Sequence, residues 1–313
     1  MTNSVKADLL LVLVTLLAAI SWVFSKEAVL LMPPLLFVAT RFLLAGGLLS
    51  CLAYRQLKNL SWNQYRQAII VGSIFAVGTL FWIMGLYSGV QIGIGAFLTS
   101  LSIVLVPVMS RLFFKEPQPL STWLALAIAT IGLAFLSLQG AKDAEWGHVL
   151  FLLCAVFFSL FFILNMRAAN HREGNELLDD VRVSEKVPAL PLTAISLTLV
   201  GLIAGGLSFF FENWLLVSEQ FSMAMLGWVL ASALIGTALR FFIQTHAQSL
   251  SSQSHGIVIM VVEPVWTALL GAFWFAETMT FLQGFGCALI FISLLINRWG
   301  NIKGLFKATQ VGR

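Results

Sequence analysis

Residues 67–110 read QAIIVGSIFAVGTLFWIMGLYSGVQIGIGAFLTSLSIVLVPVMS, 44 positions between Arg66 and Arg111 without one charged side chain. As a single helix this stretch would run about 66 Å, roughly twice the hydrocarbon thickness of a bilayer. The chain has to turn back within it, and SGVQIG at 88–93 is the only polar, glycine-rich place to do so. Two helices crossing lipid in opposite senses follow from this stretch alone.

The same logic extends along the chain. Of its 313 residues, 59% are hydrophobic and 10% are charged, where soluble domains carry about 25% charged residues. The expected architecture is an all-α membrane protein of ten transmembrane helices. They fall near 9–31, 35–54, 68–88, 92–114, 120–139, 147–166, 190–210, 224–245, 255–276 and 280–297. Pro33–Pro34 separates the first two, and KEPQP at 115–119 separates the fourth and fifth. The first apolar run is too long for a signal-peptide core and has no clear small-x-small cleavage site, so it reads as a retained span. Cys51, Cys154 and Cys287 all lie in apolar runs and read as small buried hydrophobes.

Lysine and arginine set the orientation. With a cytoplasmic N-terminus, the inner side holds Lys6, Arg55, Lys58, Arg66, Arg111, Lys115, Arg167, Arg172, Arg182, Lys186, Arg298, Lys303, Lys307 and Arg313. The outer side holds only Lys26 and Lys142, while Arg41 and Arg240 lie within spans. Fourteen against two predicts both termini inside. Trp62, Trp123, Trp146, Trp214 and Trp299 fall near expected span ends, as interfacial anchors do. The stretch 168–188, AANHREGNELLDDVRVSEKVP, gathers most of the acidic residues and reads as a cytoplasmic linker between spans six and seven.

The halves echo each other. FLLAGGLLS (42–50) parallels LIAGGLSFF (202–210), GTLFWI (78–83) parallels GTALRFFI (236–243), RLFFKEP (111–117) parallels AFWFAET (272–278), and ISWVF (20–24) parallels FSLFF (158–162). Each pair is five spans apart. An odd repeat starts its second copy on the opposite face, so the halves, 1–141 and 142–313, are expected as two inverted five-helix repeats. That is the build of many secondary transporters, whose halves rock about a site near the midplane.

AAISWVFSKEAV (18–29), PPLLFVATRFLLAGGLL (33–49), GAFLTSLSIVLVPVMSRLFFKEP (95–117), VVEPVWTALLGAFWFAET (261–278) and QGFGCALIFISLLI (283–296) together resemble the EamA-like proteins of the drug/metabolite transporter superfamily. The resemblance falls in both halves. It implies ten helices around a central substrate cavity and the export or exchange of amino acids, nucleotide precursors or other metabolites.

Glu263 sits about 13 Å into the ninth expected span, close to the bilayer midplane. A carboxylate there costs about 2.5–3.5 kcal/mol or more unless it faces water, a partner or carries a proton. It is the first candidate for substrate binding or coupling, with a structural pairing as the alternative. Pro264 lacks an amide proton and crowds the carbonyl of Met260, which predicts a kink at the same depth. Arg240 is the candidate partner of Glu263; otherwise it snorkels to the cytoplasmic surface. Gln244 follows on a nearby face, while His246 and His255 read as interfacial, with a proton relay as the alternative. Arg41 either attracts an anionic substrate or closes an external gate, with a salt bridge to Glu27 or snorkelling as the alternative. Trp22, Trp82, Tyr87 and Trp266 are candidates for stacking on a substrate, against a lipid-facing or core role. Glu116 and Glu277 end equivalent spans and are expected to cap the first turn of the next helix.

No H-E-x-x-H, P-loop or nucleophile–base spacing is present, so the chain reads as a non-enzyme without cofactor or metal. Its partners are expected to be a small-molecule substrate, protons as a candidate coupling ion, and the lipid bilayer. No nucleic acid is expected, and monomer and homodimer both remain open. The expected function is a secondary transporter or exporter of small metabolites at the inner membrane. The alternatives are an intramembrane enzyme acting on lipid-linked substrates and a passive channel.

Overall fold

A computed structural model describes residues 3–115, 120–137, 142–169, 186–214, 222–250 and 260–297. Among them the chain is all-helical, with no strand. The helices are α1 (Asn3–Val29), α2 (Pro34–Leu52), the short α3 (Tyr54–Lys58), α4 (Trp62–Tyr87), α5 (Ile92–Phe114) and α6 (Leu120–Ser137). They continue with α7 (Lys142–Ala169), α8 (Ala189–Phe211), α9 (Met223–Ala233), a π-helical segment (Leu234–Leu239) and α10 (Arg240–Leu250). A 3₁₀ turn (Met260–Val262) then leads into α11 (Glu263–Phe275), and α12 (Phe281–Asn297) ends the described chain.

Local chemistry sets many of these boundaries. The serine hydroxyl of Ser61 accepts from the Gln64 amide at 3.3 Å, and the Gln64 side chain accepts from the Ser61 amide at 2.9 Å, a reciprocal cap that opens α4. Ser222 opens α9 by accepting from the Met225 amide at 3.1 Å. Helices α5 and α11 close on Lys115 and Ala276, both in the left-handed region at φ 54° and 52°.

Seven helical stretches are long and apolar enough to cross a membrane: Leu9–Val29, Pro34–Leu52, Trp62–Tyr87, Ile92–Phe114, Trp146–Ala169, Ala189–Phe211 and Met223–Ala247. These correspond to seven of the ten expected spans. The fifth, ninth and tenth are represented by the shorter helices α6, α11 and α12. The first part of the ninth expected span and most of the 168–188 linker lie outside the described residues.

The polarity is that of a protein whose solvent is lipid. Large apolar side chains stand exposed, Phe210 at 79% and Phe281 at 88%. Arg41, Asn165, Gln244 and a set of serines and threonines are buried. Helix α2 packs on α8, α6 on α12, α4 on α7 and α8, and α5 on α7. Helix α1 packs on α10 and α11, and α11 on α5. The approach of α2 to α8 is very close at Gly46, where an added Cβ would sit 2.7 Å from the Thr198 amide nitrogen.

Candidate functional site

Helix α1 contributes Ser21 and Trp22 to a central cavity, α2 contributes Arg41, α10 contributes Arg240 and Gln244, and α11 contributes Glu263. Aromatic walls come from α4 (Phe75, Trp82) and α7 (Phe158, Phe161). The cavity has a volume of about 60 Å³, room for a few waters.

Glu263 is the hub of one polar cluster. Its Oε2 lies 3.5 Å from Arg240 Nη2, and the indole Nε1 of Trp22 donates to Oε1 at 3.3 Å. The guanidinium of Arg240 also lies over the Phe241 ring, 4.7 Å from its centroid. Arg240 Nε and Gln244 Oε1 are buried with no hydrogen-bond partner among the described residues. Gln244 is only 1% exposed. Trp22 is itself held edge-on against Trp82 at 5.1 Å and against Phe151 at 5.7 Å.

Arg41 forms a second cluster, and the expectations for it need correction. It is 2% exposed, so it does not snorkel. Glu27 does not pair with it but accepts from Trp274 Nε1 at 2.8 Å. Arg41 instead reaches from α2 between α1 and the π-helical segment. Nη1 donates to Ser25 Oγ at 2.6 Å, Nη2 to Ser21 Oγ at 2.7 Å and to the Gly236 carbonyl at 3.2 Å, and Nε to Thr237 Oγ1. Ser25 passes its own proton to the Ser21 carbonyl, and Thr237 passes its own to the Ser232 carbonyl. Both oxygens are therefore free to accept from the arginine. The Gly236 carbonyl and the Thr237 hydroxyl that meet the guanidinium both lie within the π-helical segment.

The other expected site residues are dispersed. Trp266 is 38% exposed and Tyr87 is 57% exposed; neither lines the central cavity. Tyr87 instead borders an outer hollow with Glu212 and the Pro33–Pro34 turn. Pro264 does line the cavity and stands in the first turn of α11, directly after the 3₁₀ turn Met260–Val262; the residues before Met260, where the expected kink would show, lie outside the described residues. A first-turn position asks for no amide proton, which is why the ring is accommodated. Glu277 caps a helix other than the one expected: it accepts from the amides of Ile92 at 3.0 Å and Gly93 at 3.5 Å, opening α5. Lys26 Nζ reaches the same carboxylate at 2.5 Å. Glu116 and His255 lie outside the described residues. His246 is exposed and stacks on Phe242 at 6.1 Å.

Two features escaped the sequence reading. One is the ring of neutral oxygens around Arg41. The other is Glu212, which accepts from the amides of Leu35 at 2.8 Å and Leu36 at 2.7 Å. A signal for the second existed: Pro33 and Pro34 carry no amide proton, so Leu35 and Leu36 are the first donors of α2 and need an acceptor.

A lipid-facing helical bundle with charged side chains turned onto an interior cavity is the build of a multi-pass membrane transporter. The chain belongs to the EamA-like transporter family, whose sequence pattern matches residues 5–138 and again 145–299. A relative from Archaeoglobus fulgidus described as an uncharacterized transporter is 26% identical over 290 residues, covering 93% of this chain and 85% of that protein. A protein of known crystal structure shares the fold with a TM-score of 0.64 at 18% identity, over 93% of this chain and 97% of that one.

Proposed function

We propose that this transporter moves a small metabolite, of the amino-acid class or a related one, across the inner membrane by alternating access. In this reading residues 1–141 and 142–313 are inverted five-helix repeats, and both termini are cytoplasmic. Three observations support the architecture. The family pattern matches the chain twice in succession. Lysine and arginine favour one side. The helix packing also survives exchange of the halves: α2 meets its counterpart α8, α6 meets α12, and the α4–α7 and α5–α7 contacts mirror α10–α1 and α11–α1.

The observation that carries the function is the Arg240–Glu263 pair, two opposite charges loosely joined at 3.5 Å on the wall of the central cavity. A substrate with polar groups can separate such a pair and replace each partner. The cavity is far smaller than the roughly 300–1,000 Å³ of ligand pockets. Binding of a metabolite therefore requires the walls to part. Glu263 is the binding or coupling residue, with Trp22, Arg240 and Gln244 beside it.

The test is uptake of labelled amino acids and related metabolites into reconstituted vesicles, with and without an imposed pH gradient. Saturable, counterflow-stimulated uptake that disappears in Glu263→Gln is expected, with membrane expression unchanged. Uptake that persists in the variant would remove Glu263 from the site. Flux that never saturates and shows no counterflow would indicate a channel instead.

A further inference from the structure

We infer that the cavity selects a monoanion with an apolar body, and that Arg41 is the fixed cation that receives its charge. The inference rests on the transport reading above and, within its range of metabolites, favours related monoanions over zwitterionic amino acids.

Among the described residues, the charged side chains lining the cavity are Arg41, Arg240 and Glu263. Arginine keeps its proton in proteins, so the lining holds one positive charge in excess. The excess belongs to Arg41. Glu263 lies against Arg240, whereas every hydrogen-bond acceptor of Arg41 is a neutral oxygen: Ser21, Ser25, Thr237 and the Gly236 carbonyl. These acceptors orient the guanidinium without cancelling its charge. Aromatic rings complete its surroundings, with the Phe42 centroid at 5.3 Å and the Trp82 centroid at 5.8 Å. A buried charge lacking a counter-ion is costly, and a bound anion removes that cost.

Two further atoms point the same way. Among the described residues Arg240 Nε is a buried donor without an acceptor, and Arg41 has five N–H groups of which four have acceptors. Both clusters lack acceptors, which an anion supplies. The buried amide of Gln244 adds a polar contact whose orientation the ligand can choose. A cation would add to the excess, and a zwitterion would leave it unchanged. Only a monoanion brings this described lining to neutrality. The walls of Phe42, Phe75, Phe158, Phe161, Trp22 and Trp82 then ask for an apolar, flat remainder.

The experiment uses the full chain purified in detergent and four probes of one body at neutral pH: phenylacetate, phenylacetamide, 2-phenylethylammonium and L-phenylalanine. Binding is followed by calorimetry. Phenylacetate is expected to bind at least about tenfold more tightly than each of the other three. Arg41→Gln is expected to abolish that preference, and Arg41→Lys to keep part of it, with folding checked by circular dichroism and gel filtration. Equal or stronger binding of the amide, the ammonium or the amino acid would overturn the inference. So would anion binding that survives in folded Arg41→Gln, or failure of all four probes to bind. The charge comparison uses the unaltered protein, so it stands even if Arg41→Gln does not fold. Vesicle flux is measured separately. Selective anion binding without flux keeps this inference and removes the transport reading; saturable flux of cations or neutral compounds does the reverse.

Discussion

Trp22 and Glu263 are joined by a hydrogen bond of 3.3 Å across 241 positions of sequence, indole nitrogen to carboxylate oxygen. It ties the middle of α1 to the first residue of α11 and holds the carboxylate on the cavity side. Trp22→Phe keeps an aromatic ring but deletes the donor. Net loss of one such bond is worth about 0.5–1.5 kcal/mol. Substrate affinity is expected to fall roughly three- to tenfold with the fold retained, measured as the concentration for half-maximal uptake.

Arg240 and Glu263 should behave as a coupled pair. Each side chain is largely buried, 15% and 17% exposed, so removing one leaves the other charge without its partner. Arg240→Gln and Glu263→Gln are each expected to lower thermal stability in detergent. The double substitution should be less harmful than the two losses added, with a coupling energy of about 1 kcal/mol. Strict additivity would mean that the pair makes no energetic contact.

Glu212 bridges α8 to the start of α2. Its carboxylate takes the amides of Leu35 and Leu36 and a hydroxyl proton from Ser208 at 2.7 Å. Glu212→Ala leaves two first-turn amides without acceptors, a loss of about 1–2 kcal/mol. A fall of several degrees in melting temperature is expected; an unchanged value would show that the cap contributes nothing.

Neighbouring glycines in α2 give a sharp contrast. A Cβ on Gly46 would lie 2.5 Å from Thr198 Oγ1 and 2.9 Å from Thr198 Cα, while one on Gly47 meets nothing within 4 Å. Gly46→Ala is expected to destabilise by about 1–3 kcal/mol because backbone has to move. Gly47→Ala is expected to be neutral or stabilising by up to about 1 kcal/mol. Melting curves of the two purified variants decide it, and equal curves would refute the close α2–α8 approach.

What the sequence disclosed depended on whether a residue's meaning was local. Charge-free length and proline pairs are local quantities, so the helices from Pro34 to Phe114 emerge close to their expected limits, apart from the short α3 and the start of α4 at Trp62, six residues before the expected 68. Glu263, Arg240 and Gln244 stood out because a polar group deep in an apolar span needs a reason, and all three, with Trp22, line the cavity. Tyr87 and Trp266 misled: an aromatic ring is equally at home in lipid, and helix rotation alone decides which way it faces. The partners of Arg41 were invisible, since Ser21, Ser25 and Thr237 are ordinary span residues until α1, α2 and the π segment meet. Glu277 was rightly read as a cap, but folding, not adjacency, chose the helix it serves.

The wide turn at Leu234–Leu239 immediately precedes Arg240 and Gln244 on the same rod. Such a turn accommodates one residue more than ordinary α winding. Removing a single codon there would let the segment rewind as ordinary α-helix, because the wide turn already absorbs the roughly 100° that the extra residue adds. Arg240 and Gln244 would keep facing the cavity. What would change is the stretch holding Gly236 and Thr237, which supply two of the oxygens around Arg41. One small deletion would thus disturb the setting of this arginine while sparing the residues that follow on the same rod.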